Sequence, residues 1–167
     1  MASRAIIPGR AGADWRAVLR RSLRRSLELI GGTALFALML FLALALTSYT
    51  QTDPSGSTAA GGPVENWMGL PGAWAAERVL MLFGAASVLL LPLLFVFARR
   101  LWDAAGDLIE ADEDEDPTPD PGWLRPTGLL MVAMVLIGTT LALAFTAPRF
   151  GLPAGMGGLT GLIGAAA

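Results

Sequence analysis

The chain has 167 residues, of which 54% are hydrophobic and 16% charged, and its formal net charge is −2. That balance is too apolar for an ordinary soluble domain and suits a small polytopic membrane protein. With no cysteine and no histidine, disulfides, thiolate or imidazole metal sites, cysteine nucleophiles and Ser-His-Asp triads are excluded.

The small net charge hides a steep asymmetry. All twelve basic residues are arginine and seven of them precede the first apolar run, whereas nine of the fourteen acidic residues fall in 103–120. Residues 1–28 read as a basic cytoplasmic segment, irregular at its Pro- and Gly-containing start. From Trp15 onward, Trp15, Val18, Leu19, Leu23 and Leu27 recur mostly at helical spacing, with Arg16, Arg20, Arg21, Arg24 and Arg25 between them. This predicts a basic amphipathic helix. Its arginines either meet anionic lipid headgroups or serve only to set topology.

Residues 29–49 form the first predicted span, since no charge interrupts 29–52 and the run exceeds the apolar core of a cleavable signal. The seven upstream arginines place its start in the cytoplasm. Residues 50–78 then form a periplasmic loop, opened by the Asp53-Pro54 turn and a Ser/Gly-rich stretch. Asn66 and Pro71 suit a helix start, so a short interfacial helix or helical extension is expected from about Gly72. Glu77 and Arg78 are expected to be a solvated pair at the membrane edge.

The second predicted span covers 79–98, twenty uncharged residues ending at Arg99 and Arg100, with Trp67, Trp74 and Trp102 flanking it. Pro92 leaves the Val88 carbonyl without its usual donor, so a bend is predicted between these two residues. Residues 99–125 form a cytoplasmic loop with five consecutive carboxylates at 112–116 and prolines after them. Like charges and prolines oppose packing there, and the loop lacks the spacing of a calcium-binding motif.

The third span is predicted at 126–148. Residues 149–167 make a periplasmic turn and the start of a fourth span, for which only ten residues follow Gly157. Such a length gives about 15 Å of helix, too short to cross a bilayer, so the chain reads as cut within that span. The predicted fold is therefore all-α: three full transmembrane helices, the start of a fourth, and a basic amphipathic N-terminal helix. Helix packing is assigned to the small residues Gly84, Ser87, Gly138, Ala142, Gly157 and Gly161, which let backbones approach closely in lipid.

The order Tyr49, Asp53-Pro54-Ser55, Asn66, Gly69, Gly72-Ala73, Ala75-Ala76, Phe83-Gly84 and Leu91-Pro92 resembles the membrane domain of the FtsK/SpoIIIE cell-division DNA translocases. Tyr49, Asp53, Pro54, Asn66, Gly69, Gly72 and Ala73 carry the loop part of that pattern. Glu77 stands where the pattern leads one to expect Asp, and the acidic loop is longer than the pattern needs. The resemblance covers roughly 20–167 and implies four spans with both ends cytoplasmic.

It further implies a multi-pass domain of the bacterial inner membrane at the division septum, which anchors and oligomerises a motor coupling chromosome segregation to division. The implied partners are the bilayer, further copies of the chain and other septal membrane proteins, with no nucleic-acid contact by this segment. The ATP and Mg of such a motor belong to a part not present in this sequence, which has no GxxxxGKS/T phosphate loop. No catalytic, cofactor-binding or metal-ligating residue is assigned within the chain. The residues also admit an accessory subunit of a larger membrane complex. A transporter or channel fits least, because the spans offer only Pro92 and hydroxyls where transport sites need intramembrane charge or broken helices.

Overall fold

The computed structural model describes residues 15–56, 62–110, 124–145 and 151–166. The acidic run at 112–116 lies outside them. All regular structure among the described residues is helical. Three helical stretches, Trp15–Thr47, Gly69–Asp107 and Arg125–Ala144, are long and apolar enough to cross a membrane.

Helix α1 runs unbroken from Trp15 to Thr47, 33 residues, so the basic amphipathic segment and the first span are one rod. Gly31 and Gly32 would weaken a free helix by about 1 kcal/mol each, but here they admit α3 (Leu90–Glu110). A Cβ on Gly32 would lie 2.7 Å from Trp102 Cδ1 and 2.9 Å from the Ala98 carbonyl oxygen. Phe36 continues the seam against Trp102, with ring centroids 5.5 Å apart, and against Phe95 at 6.5 Å. The Trp102 indole N–H donates to Thr33 Oγ1 at 3.4 Å. Trp102, expected at the headgroup level, thus also fastens the antiparallel pair α1–α3.

Helix α2 (Gly69–Phe83) starts three residues earlier than predicted and stops at Gly84. The predicted helix through 79–98 is not continuous. Gly84 adopts φ 56° and ψ −140°, closed to residues with a Cβ, and a 3-10 segment Gly84–Leu89 separates α2 from α3. The break is therefore upstream of the bend expected between Val88 and Pro92. The reason is local: Pro92 is the third residue of α3, in the first turn, where amides lack an intrahelical acceptor and proline is tolerated.

Helices α4 (Leu124–Ala144) and α5 (Gly158–Ala166) form a second antiparallel pair. The two pairs meet around α2 and the 3-10 segment. The buried apolar core is small and built largely from alanines, with Leu42, Leu80 and Met134 the larger members. Long apolar side chains on every span point outward. This inversion is expected where lipid, and not water, surrounds the helices.

Candidate functional site

The residues quoted for the loop pattern converge where α1 ends and α2 begins. Past Thr47 the chain turns, and Asp53, 2% exposed, points its carboxylate at the backbone of 65–66. Its Oδ1 accepts the Glu65 N–H at 2.7 Å and its Oδ2 the Asn66 N–H at 3.0 Å. Asn66 is itself buried and uses both ends of its amide. Its Nδ2 donates to the carbonyls of Ala45 (2.9 Å) and Ser48 (3.4 Å), while its Oδ1 accepts from the Met68 N–H at 3.0 Å.

The lead-in to α2 is completed by Gly69, at φ 66°, whose N–H donates to the Asn66 carbonyl at 2.8 Å. Ser48 Oγ closes the junction, donating to the Leu44 carbonyl at 2.7 Å and accepting the Trp67 N–H at 3.0 Å. The orphan carbonyls at the C-terminus of α1 are thereby satisfied by a side chain eighteen to twenty-one residues away. Gly72 and Ala73 are buried beneath this knot, and a Cβ on Gly72 would strike Asn66 Oδ1 and Met68 Cβ.

Glu77 departs from the solvated pair predicted for it. It is 3% exposed, and its Oε2 accepts the Gly56 N–H at 3.0 Å. Arg78 is exposed instead, its guanidinium lying by Gly56 with its carbon 5.7 Å from the Trp74 ring centroid. The helix period explains the split, since neighbours on α2 differ by about 100° in direction. Tyr49 lies just past α1. Burial first, then the negative charges of Glu77 and Asp53, push its phenol above the usual 10.0. Ser48 and Gly56 are members of the junction that sequence reasoning missed, since a lone serine or glycine at a span boundary carries no periodic signal, and Glu77, noted at the pattern's expected Asp, belongs to the junction and not to solvent.

The small residues form a second constellation. A Cβ on Gly84 would run into the Met156 carbonyl oxygen and the Gly158 amide, and one on Gly161 into the Gly138 backbone. Gly157 lies on Gly138 and Ala142. The structure therefore sets Gly84 and Ala142 against the chain entering α5, and Gly138 against α5 itself. Two hydrogen bonds bridge the helix break: the Ala85 N–H donates to the Met156 carbonyl at 2.9 Å, and Thr160 Oγ1 to the Leu82 carbonyl at 3.0 Å. Ser87 is fully buried beside them, and its hydroxyl has no hydrogen-bond partner among the described residues.

At the opposite end of α1, Arg24 pairs with Glu28 at 2.9 Å and Arg16 lies 5.4 Å from the Trp15 ring centroid. Trp15, Val18, Leu19, Leu23 and Leu27 are all exposed. Among the described residues, no group of three acidic side chains is placed to hold a metal ion. The arrangement is that of a membrane scaffold whose helix ends are locked by a buried polar knot and a glycine crossing.

Comparison with known proteins places the chain in a family. The family model described as the 4TM region of DNA translocase FtsK/SpoIIIE matches residues 24–167. The chain belongs to this family. Among its curated relatives, a DNA translocase FtsK of Pseudomonas syringae pv. tomato is 30% identical over 150 residues, 88% of this chain and 17% of that protein. Its counterpart in Brucella melitensis is 29% identical over 140 residues, 83% of this chain and 15% of the relative. That of Shewanella oneidensis is 34% identical over 92 residues, 54% and 10% respectively.

This FtsK-type chain thus matches only 10–17% of the length of these relatives. No solved structure matches it. Family membership and the three membrane-length helical stretches together make it a multi-pass membrane protein.

Proposed function

We propose that this chain is the inner-membrane anchor of a DNA translocase, holding its motor at the division septum and bringing copies of the chain together there. The observation that carries this is the match of the FtsK 4TM region to residues 24–167 of a chain made of membrane-length helices. ATP binding and DNA pumping, with Mg, would reside outside this segment, and the segment itself would touch lipid and other septal membrane proteins.

The placement of arginines supports a cytoplasmic N-terminus. Because α1 and α3 are antiparallel with Gly32 beside Trp102, Arg16–Arg25 and the pair Arg99 and Arg100 lie at one end of the molecule. Arginine excess next to span ends marks the cytoplasmic side. The acidic residues after Arg100 do not oppose this, since carboxylates contribute little to orientation.

Two measurements test the proposal. A fluorescent fusion expressed at native level should concentrate at midcell in dividing cells; uniform membrane fluorescence would reject the septal role. In intact spheroplasts an impermeant thiol reagent should label Ser55→Cys and not Asp103→Cys. Labelling of Asp103→Cys alone would invert the orientation.

A further inference from the structure

We propose that α2 is a membrane-surface helix that lies across the outer ends of the spans, with a lipid-facing stripe of Trp67, Leu70, Trp74, Arg78 and Met81. Its two ends are tied to the same level of the molecule. At its start, the Asn66 amide holds the carbonyls of Ala45 and Ser48, the C-terminal end of α1. At its finish, Gly84 crosses the backbone of Met156 and Gly158, the N-terminal end of α5. Both points are ends of helices on one face of the bilayer, so a 15-residue helix of about 22 Å stretched between them runs along that face. The Gly84 conformation supplies the turn from this direction into α3.

The side chains divide accordingly. Gly72, Ala73, Ala76, Glu77 and Leu80 are buried against the bundle. Leu70 (49% exposed), Trp74 (44%) and Met81 (37%) line the other side, and their spacing of four and seven residues puts them on one face, while Trp67 (68%) is exposed just before the helix. The occupant that fits is phospholipid at the headgroup boundary. Indoles favour that depth, and the Arg78 guanidinium beside Trp74 matches a lipid phosphate within reach of an apolar stripe. This goes beyond the anchoring role and stands whether or not the chain is septal.

Because the chain has no cysteine, nitroxides can be placed singly at Leu70→Cys, Met81→Cys and Gly62→Cys in the whole chain, reconstituted in phosphatidylethanolamine/phosphatidylglycerol nanodiscs. Collision with oxygen and with a water-soluble nickel complex then gives depth. Labels at 70 and 81 should both favour oxygen and sit at equal depth to within a few Å, while the label at 62 should favour nickel. If α2 instead continued α3 as one rod, the eleven residues between 70 and 81 would separate the depths by about 16 Å. That gradient would overturn the proposal, as would nickel accessibility at 70 equal to that at 62. Protection of 70 and 81 from both reagents would mean a protein neighbour, such as a second copy, and would reject lipid as the occupant.

Discussion

Asn66 illustrates how much one buried side chain does at a helix boundary. Its amide is saturated, donating to two carbonyls and accepting one N–H, and the Asp53 carboxylate holds the backbone that presents it. Asn66→Asp keeps the shape but turns the donor into a second acceptor aimed at two carbonyls and close to Asp53. The loss should be about 2 kcal/mol or more, since buried acceptors are left facing one another, and thermal unfolding in detergent should show it. Asp53→Asn should cost less, because one carboxamide oxygen can still accept one of the two amides.

The single tyrosine gives a separate readout at the same place. With its phenol held above 10.0 in the folded chain, the folded state keeps a proton that the unfolded state releases. Stability from this group is therefore complete below pH 10 and falls as pH rises through the folded value. Alkaline absorbance titration should place the midpoint above 10.0 in the native chain, and Glu77→Gln should lower it without returning it to 10.0, as burial remains. A midpoint at or below 10.0 in the parent would contradict the burial of Tyr49.

At the scale of elements, the membrane-length stretches and their order were legible because a long apolar run is a strong signal, and α1, the broken helical stretch Gly69–Asp107 and α4 follow from it. The helix break was misplaced because sequence weights proline over glycine, whereas position within a helix decides the effect: Pro92 falls in a first turn and Gly84 takes a left-handed conformation. Glu77 was misjudged because a charge next to Arg78 looks solvated until the loop brings Gly56 over it, where its carboxylate is buried and accepts the Gly56 N–H. The pairing of α4 with α5 rests on glycines that spacing could nominate but not assign to partners.

That pairing is open to a direct test. A Cβ on Gly164 would sit 3.3 Å from Thr139 Cβ, close to disulfide geometry, so the pair Thr139→Cys and Gly164→Cys should crosslink under mild oxidation. Adding Gly161→Leu inserts a side chain into the Gly138 backbone and should hold the helices apart, cutting the yield severalfold. Leu159→Ile, on the exposed side of α5, is the control and should leave it unchanged. Equal yields in all three chains would show that the glycine crossing does not set the α4–α5 approach.

For the whole molecule, orientation follows from where charge is concentrated relative to the spans. α1 carries Arg16, Arg20, Arg21, Arg24 and Arg25 in one unbroken helix with the membrane-length run, so their positions are fixed relative to the first span. Arg99 and Arg100 adjoin the same end through the antiparallel packing of α3, and Arg125 begins the next membrane-length stretch. Each arginine drawn across the bilayer would cost several kcal/mol, by about 2.5–3.5 at a helix centre on the insertion scale. Replacing the five arginines of α1 by glutamine leaves Arg4 and Arg10 upstream and weakens the bias at the first span only. The later spans, still biased by Arg99, Arg100 and Arg125, then compete with an undecided α1. A mixed population is expected: the fraction of Ser55→Cys chains labelled from outside in spheroplasts should fall, with total membrane-bound protein reduced by failed insertion. Unchanged labelling would mean that Arg99, Arg100 and Arg125, with Arg4 and Arg10, suffice to orient the chain, leaving the basic face of α1 free for a role other than topology.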